Sequence, residues 1–235
     1  MKPTLYLVPA FGCDHRLYIP QISALKANVN IMVHVPSAAR YEDMAQEVLR
    51  HAPEQFAILG TSMGGRLALE VAFAAPERVT GLCVIGAGAG AVADPVAGLR
   101  RSARIRGGER EQVIAEMAGM ISHLPGPRGA ATRQDFIDMA MAMDAEQLAR
   151  QSDALAHRVD SWDELENVEA LTLCLWGEHD KFSPGDDGLR MAEAVDIGSF
   201  IEFPNCGHFP TLEYPDEATE AITMWLEDID DVEEA

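Results

Sequence analysis

Apolar and polar positions divide the chain into segments of two kinds. Short runs that are almost entirely apolar predict strands buried on both faces, and they alternate with segments whose apolar residues recur at helical spacing. The predicted strands cover residues 5–8, 31–35, 56–59, 79–85, 171–176 and 199–203. Strands that alternate with helices form a parallel sheet covered on both faces, so the pattern predicts an α/β fold with about six strands.

The alternation of strands and helices stops between residues 94 and 165. Four amphipathic segments replace it there, at residues 96–105, 110–121, 133–143 and 145–158. A helical insertion between two strands of a parallel sheet is best explained as a cap over the carboxyl edge of that sheet. The sequence therefore predicts a core of residues 1–93 and 166–235 and a helical cap of residues 94–165.

An excess of acidic residues narrows the choice of partners. The chain has 38 Asp and Glu against 18 Lys and Arg, which gives a formal net charge of −20. This charge disfavours nucleic acid and anionic membrane surfaces as partners. Part of it lies in the acidic segment 227–234, which we expect to be frayed and solvated. No apolar run reaches membrane-spanning length and no signal peptide precedes the first strand, so we expect a cytoplasmic protein.

The third predicted strand runs directly into Gly60-Thr61-Ser62-Met63-Gly64-Gly65, and a helical segment follows. A strand, a tight turn and a helix form the setting of a nucleophile elbow with the motif Gly-x-Ser-x-Gly. Because Gly60 and Gly64 have no Cβ, the chain can turn sharply and hold Ser62 in a strained conformation. The helix N-terminus beside Ser62 favours the negative charge of an acyl-transfer intermediate. The pattern predicts a nucleophilic serine.

A nucleophilic serine needs a base, and the base needs a carboxylate that fixes its tautomer. Both follow in chain order, each in a loop after a predicted strand, with Asp180 after the fifth strand and His208 after the sixth. Loops that leave the same edge of a sheet can bring their side chains together. Ser62, Asp180 and His208 are therefore the predicted catalytic triad.

Neighbouring residues leave other catalytic assignments open. Glu178 could be the acid, and His179 could be the base or a metal ligand. Cys13 and Cys206 lie in loops near the predicted site, where we expect them to line it rather than to attack a substrate.

A cofactor or metal site is not predicted. Gly86-Ala87-Gly88-Ala89-Gly90-Ala91 matches a loose dinucleotide-binding pattern, but Asp94-Pro95 interrupts the helix that a nucleotide phosphate would need. The histidines have no spacing typical of a zinc site. We therefore expect a protein that works without a cofactor and without a metal.

Three segments carry a family resemblance: Gly-Thr-Ser-Met-Gly-Gly, Gly-Glu-His-Asp-Lys-Phe-Ser-Pro and Gly-His-Phe-Pro-Thr-Leu-Glu-Tyr-Pro. They resemble, in order and spacing, the three signature loops of the α/β-hydrolase fold. The resemblance implies that Ser62 is the nucleophile, Asp180 the acid and His208 the base. It also implies an oxyanion hole made of the backbone N–H groups of Met63 and Phe11. Here Pro9-Ala10-Phe11-Gly12 stands where the family commonly has His-Gly.

Several residues are candidates for substrate contacts. Met139 and Met143 lie one helical turn apart, and their thioethers could line an acyl pocket or pack cap helices together. Five arginines could attract an anionic substrate or form a solvated face: Arg100, Arg101, Arg104, Arg106 and Arg110. Arg66 is a further candidate, because Ser-Met-Gly-Gly-Arg resembles the elbow of the menaquinone-pathway lyase that makes SHCHC and the elbow of carbon–carbon bond hydrolases.

These observations predict a cofactor-free serine hydrolase that cleaves a small carboxylic ester, lactone or thioester through an acyl-enzyme on Ser62. The alternatives are a lyase or carbon–carbon bond hydrolase on the same fold, and a ligand receptor that retains the triad but turns over slowly. The expected partner is a small-molecule ester, which could be anionic. We expect a monomer or a homodimer.

Overall fold

Six parallel strands form one sheet. The computed structural model describes the backbone of residues 2–233 and the side chains of residues 2–229. The strands are β1 (Thr4–Val8), β2 (Asn30–Val33), β3 (Phe56–Thr61), β4 (Val79–Ile85), β5 (Leu171–Gly177) and β6 (Gly198–Phe203), and their order across the sheet is β2-β1-β3-β4-β5-β6. The prediction of a parallel α/β sheet with about six strands is confirmed.

Strand β3 lies inside the sheet, between β1 and β4. Leu59 of β3 pairs with Leu7 of β1 on one side and with Cys83 of β4 on the other. All six residues of β3 are buried, as a strand covered on both faces requires. The loop after β3 therefore leaves the carboxyl edge of the sheet with a strand on either side.

Helices accompany the sheet along the described chain. They are α1 (Ile19–Leu25), α2 (Tyr41–His51), α3 (Met63–Ala74), α4 (Pro95–Arg106), α5 (Arg110–Ile121), α6 (Gly129–Ala142), α7 (Ala145–Ala156), α8 (Gly185–Ala194), α9 (Pro210–Glu213) and α10 (Pro215–Glu233). Short 3-10 helices cover His15–Tyr18, Pro76–Arg78 and Trp162–Asn167. No helix within residues 2–233 combines the length and the hydropathy that crossing a bilayer requires.

The two faces of the sheet are covered by different helices. A Cβ on Gly81 of β4 would meet Ile229 of α10 at 2.1 Å, whereas a Cβ on Gly65 of α3 would meet Val84 of β4 at 3.2 Å. Positions 81 and 84 point to opposite faces of a strand, because side chains alternate along it. Helices α3 and α10 therefore lie on opposite faces of the sheet.

The acidic end of the chain is more ordered than the sequence predicted. Helix α10 runs to Glu233, so the expectation of a frayed segment from residue 227 is wrong for the backbone up to that residue. Trp225 and Ile229 are almost completely buried and pack at Gly81. Burial of one apolar stripe stabilises this helix although it carries many acidic residues. Glu234 lies outside the described residues.

Four helices, α4 to α7, connect β4 to β5. Their bounds lie close to those of the four amphipathic segments that the sequence predicted between residues 94 and 165. Helix α4 packs against α7, and α5 packs against α6. We call residues 94–165 the helical insertion. Its role as a cap stays a prediction at this point.

The packing around two glycines allows a prediction of how alanine at each position would change the free energy of unfolding. A Cβ on Gly64 would stand 2.0 Å from the Val8 carbonyl oxygen, whereas a Cβ on Gly119 in α5 would meet no heavy atom within 4 Å. Gly64→Ala should lower the free energy of unfolding by at least about 3 kcal/mol, since backbone has to move. Gly119→Ala should raise it by about 0.5–1 kcal/mol through the helix preference of alanine. Urea unfolding of both variants measures this, and equal stabilities would contradict the tight packing at Gly64.

Candidate active site

Ser62 stands at a strained turn between β3 and α3. Its backbone has φ 55° and ψ −114°, a conformation that side-chain-bearing residues rarely adopt. Its N–H donates to the Ile85 carbonyl at 2.7 Å, and its carbonyl accepts from the Arg66 N–H at 2.9 Å. A Cβ on Gly60 would lie 2.0 Å from the Gly64 carbonyl oxygen, so the turn can close only with glycine there. The chain therefore holds Ser62 at the carboxyl edge of the sheet.

Asp180 and His208 form a hydrogen-bonded pair at the same edge. Asp180 Oδ2 lies 2.7 Å from His208 Nδ1, and both side chains are buried, at 1% and 2% exposure. Asp180 Oδ1 accepts hydrogen bonds from the N–H groups of Phe182 and Ser183, at 2.8 and 3.1 Å. These donors fix the carboxylate, so that its other oxygen can hold the Nδ1 proton of His208 and leave Nε2 as the free ring nitrogen.

The His208 loop is anchored to the insertion. The His208 N–H donates to the carbonyl of Ile121, the last residue of α5, at 2.7 Å. The buried carboxylate of Glu213 accepts from the N–H groups of Gly207 and His123, both at 3.0 Å. Burial raises the pKa of Glu213, while these backbone donors act to lower it. One carboxylate thus links the histidine loop to the segment that follows α5.

Two backbone N–H groups near Ser62 have no partner among the described residues. Met63 is the first residue of α3, and the first N–H groups of a helix have no intrahelical acceptor. Phe11 lies in the turn after β1, and its N–H is also unbonded. The next residue, Gly12, donates its N–H to Gln151 Oε1 of α7 at 2.9 Å, and Gln151 donates in turn to the Pro36 carbonyl. Gln151 therefore fixes the Phe11 turn to the insertion.

A cavity of about 440 Å³ joins these groups. Its wall includes residues of the sheet edge, namely Phe11, Ser62, Met63, Gly86 and His208, and residues of the insertion, namely Arg101, Met117, Ile121, Leu155 and Arg158. The volume lies in the range of small-molecule sites. Ser62 and His208 both line it, without a hydrogen bond between their side chains in the described structure. In free enzymes such catalytic hydrogen bonds are often long and tighten when substrate binds.

Residues 7–222 match the alpha/beta hydrolase family. The chain belongs to this family. It is 29% identical over 180 residues to 2-hydroxy-6-oxononadienedioate/2-hydroxy-6-oxononatrienedioate hydrolase 1 of Pseudomonas putida, over 72% of the chain and 62% of that relative. It is 24% identical over 212 residues to the hydrolase of the same name from Escherichia coli, over 82% of the chain and 71% of that relative. The chain thus spans less than two thirds of the length of the first of these relatives.

Solved structures show the same fold. An esterase from Thermogutta terrifontis superposes with a TM-score of 0.86 at 23% identity, over 97% of this chain and 90% of the esterase. An enol-lactonase from Burkholderia xenovorans superposes with a TM-score of 0.85 at 18% identity, over 97% and 92% of the two chains. At these identities the likeness concerns the fold, and it confirms the predicted α/β-hydrolase architecture.

Arg66 does not line the cavity, contrary to the sequence-based expectation of a substrate contact. The guanidinium is fully buried, and it donates to Glu70 Oε1 at 2.6 and 2.8 Å and to the Ala89 carbonyl at 2.7 Å. It also donates to the Ser161 hydroxyl. Ala89 precedes the insertion and Ser161 lies near its end. Arg66 therefore ties α3 to the segment before the insertion and to the last part of the insertion.

Met139 and Met143 are also placed away from the cavity wall. Helix α6 packs against α5, α9 and the 3-10 helix His15–Tyr18, so its apolar face points into the protein interior. Met139 is 1% exposed, and Met143 packs partly buried against the core. The interpretation of these two as packing residues fits the structure, and Met117 of α5 is the insertion methionine that faces the cavity.

The five clustered arginines of the sequence separate in the structure. Arg104 pairs with Glu109 and Glu116, and Arg106 pairs with Glu146 and Asp153. Arg110 donates to the Met143 carbonyl, and Arg100 is exposed. Arg101 alone among the five lines the cavity around Ser62.

The rival catalytic residues lie apart from the His208 ring. Glu178 accepts from the Asn205 N–H at 2.9 Å, and the His179 ring stacks on that of His123 with centroids 4.0 Å apart. Cys13 and Cys206 are buried and do not line the cavity, so the expectation that they line the site is wrong. Burial raises the pKa of both thiols, which keeps them protonated and poorly nucleophilic. Among the described residues, no three His, Cys, Asp or Glu side chains come together as a metal site.

Three residues that shape the site could not be recognised from the sequence. Phe182 packs against the His208 ring with centroids 4.7 Å apart, and Gln151 and Arg158 approach the site from the insertion. Phe182 and Arg158 line the cavity, whereas Gln151 lies behind the Phe11 turn. Nothing in their local sequence distinguishes them, because their roles arise from packing between distant segments.

The position of Arg66 allows a prediction that distinguishes a structural role of this residue from a role in substrate binding. Arg66→Met should lower the free energy of unfolding by about 2–3 kcal/mol, because it leaves Glu70 and two buried acceptors without their donor. Arg100→Met, at an exposed position, should change it by less than about 0.5 kcal/mol. Chemical denaturation measures the free energy of unfolding of both variants. An Arg66 variant with wild-type stability and a raised KM would contradict the structural role.

Proposed function

We propose that the chain is a serine hydrolase that cleaves a small carboxylic ester through an acyl-enzyme on Ser62. The observation that carries the proposal is the shared cavity. It joins a serine on a strained elbow, a histidine paired with a buried carboxylate, and two free backbone N–H groups. A nucleophile, an oriented base and oxyanion donors are the parts that acyl transfer requires.

Acylation begins with attack of Ser62 Oγ on the ester carbonyl. His208 Nε2 takes the serine proton, while Asp180 holds the Nδ1 proton at 2.7 Å and stabilises the imidazolium. The N–H groups of Met63 and Phe11 donate to the oxyanion of the tetrahedral intermediate, and the N-terminus of α3 favours its charge. The intermediate collapses when the imidazolium gives its proton to the departing alcohol oxygen.

Deacylation repeats the same steps with water. His208 takes a proton from a water molecule, whose oxygen attacks the acyl carbonyl, and the same two N–H groups stabilise the second oxyanion. Return of the proton to Ser62 Oγ releases the carboxylic acid and regenerates the enzyme. Neither step requires an oxidant, a reductant or a cofactor.

The helical insertion acts in this proposal as a cap. Its helices contribute Met117, Ile121 and Leu155 to the cavity wall, so that the bound ester is covered by apolar side chains. Removal of water from the site strengthens the hydrogen bonds to the oxyanion. The division into core (1–93 and 166–235) and cap (94–165) is part of this proposal, and the cap is the segment we expect to select the acyl group.

The proposed nucleophile is tested by turnover of p-nitrophenyl esters across acyl chain lengths. Ser62→Ala should lower kcat by at least about 1,000-fold, since it removes the attacking oxygen. Ser199→Ala, at an exposed serine of β6, should behave as wild type. Equal rates for Ser62→Ala and wild type would overturn the mechanism. Wild-type turnover far below about one per second would favour the slow receptor.

The acid assignment is tested with a matched pair of carboxylates from one loop. Asp180→Asn should lower kcat by about 1,000-fold or more, because an amide cannot hold the required tautomer of His208. Glu178→Gln should leave kcat within about threefold of wild type, since its carboxylate bonds the Asn205 N–H rather than the histidine. Steady-state kinetics and thermal unfolding of both proteins are the measurements. The reverse pattern would assign the acid to Glu178.

Hydrolysis of a carbon–carbon bond is the second candidate. Its support is the sequence similarity to the dienedioate hydrolases of Pseudomonas putida and Escherichia coli. An oriented His208 and an oxyanion hole could serve both reactions, because each passes through a tetrahedral oxyanion. Incubation with a conjugated dienol keto acid, whose absorbance falls when it is cleaved, distinguishes carbon–carbon bond hydrolysis from ester hydrolysis. Turnover of this acid without turnover of aryl esters would favour the second candidate.

A further inference from the structure

Two arginines of the catalytic cavity form no ion pair with any acidic side chain that the structure describes. Arg101 of α4 and Arg158, two residues after α7, both line the cavity that contains Ser62. No carboxylate of the described residues lies within 4.0 Å of either guanidinium, although Arg16, Arg66, Arg104 and Arg106 all have such a partner. Cavity arginines without a protein carboxylate have donors to offer to a bound anion.

Most of the donors of these two arginines are unused. Arg101 donates Nε–H to the Ser152 hydroxyl at 2.8 Å, and its guanidinium lies over the Phe11 ring, 5.2 Å from the centroid. Arg158 makes one long hydrogen bond, to the Ala91 carbonyl at 3.3 Å, and its Nε is buried without a partner. Buried donors without an acceptor are costly, and a ligand can remove the cost. These contacts orient the two guanidinium groups but do not neutralise them.

The surroundings of the two arginines add to the cost of leaving their donors without an acceptor. Burial lowers the pKa of Arg101 and of Arg158, since each cation loses water, and for Arg158 the nearby Asp187 carboxylate offsets this loss only in part. The hydroxyl of Tyr41 is buried without a hydrogen-bond partner, within electrostatic reach of both arginines. A bound anion that contacts both guanidinium groups would offset the free-energy cost of their desolvation.

We propose that Arg101 and Arg158 form a carboxylate-binding subsite, so that the preferred substrate is an ester carrying a second, ionised carboxyl group away from the scissile bond. The inference rests on the proposed esterase function and names its substrate class. The simplest members of that class are half-esters of small dicarboxylic acids. The cavity volume of about 440 Å³ suits molecules of this size.

The charge balance favours a carboxylate over a phosphate. Two acidic residues also line the cavity: Asp187 is half-buried, and Asp94 is exposed and caps α4 through the Ala97 N–H. Among the half-buried groups, two arginines and Asp187 leave one positive charge. A monoanionic carboxylate neutralises that charge, whereas a phosphate dianion would exceed it. The Asp180 carboxylate, which is bonded to His208, adds a further negative charge beside the cavity, and this charge also disfavours a dianion.

The test compares two esters that differ only in charge. The mono-p-nitrophenyl ester of glutaric acid carries the carboxylate, and its neutral isostere has an isopropyl group in that place. Arg101→Met and Arg158→Met should each lower kcat/KM for the anionic ester by about 10- to 100-fold, and kcat/KM for the neutral ester by less than about threefold. Arg101→Lys and Arg158→Lys should retain part of the preference. Arg100→Met, a neighbouring exposed arginine, should change neither value.

A binding measurement separates this proposal from the esterase proposal. Calorimetry with Ser62→Ala protein and monomethyl glutarate, which carries a single carboxylate, needs no turnover. The affinity should fall about 10-fold or more when Arg101→Met or Arg158→Met is added. Loss of ester turnover with retained, arginine-dependent binding of monomethyl glutarate would reject the esterase and keep the subsite. Equal losses for the charged and neutral esters, or monomethyl glutarate binding that ignores both arginines, would overturn the subsite. Tighter binding of inorganic phosphate than of monomethyl glutarate would overturn the carboxylate assignment.

Discussion

The close backbone contact between β1, β3 and the start of α3 is the constraint on which the site depends. Gly60 and Gly64 allow main chain to approach where any Cβ would stand 2.0 Å from a carbonyl oxygen. This contact holds Ser62 at φ 55°, a conformation that costs about 1–3 kcal/mol in isolation. The buried sheet offsets the cost. The same contact leaves the N–H of Met63, the first residue of α3, free beside Ser62.

The insertion is joined to the sheet edge through polar contacts that bear on the site. Gln151 holds the turn that carries Phe11, and Glu213 links the His208 loop to the segment after α5. Arg66 ties the helix after Ser62 to Ala89, which precedes the insertion, and to Ser161, near the end of the insertion. A change in the insertion can therefore alter the geometry of the catalytic groups as well as the shape of the cavity.

Local signals explain why the sequence was sufficient for the fold and for part of the site. The apolar runs and the Gly-x-Ser-x-Gly turn are local, so the strands, the elbow at Ser62 and the loops of Asp180 and His208 could be predicted. The roles of Arg66 and Met139 stayed open because spacing along a helix does not say what the helix packs against. Arg158 and Gln151 gave no signal, since their contacts join segments more than 60 residues apart.

We infer that the elbow and the Asp180–His208 pair together make Ser62 a nucleophile. This inference is tested by the rate of labelling with a fluorophosphonate, with the adduct located by peptide mass spectrometry. A single adduct is expected, on Ser62 of the native protein, and labelling of the Asp180→Asn variant should be slower by about 100-fold or more. No adduct on Ser62, or equal labelling of native and urea-unfolded protein, would contradict it.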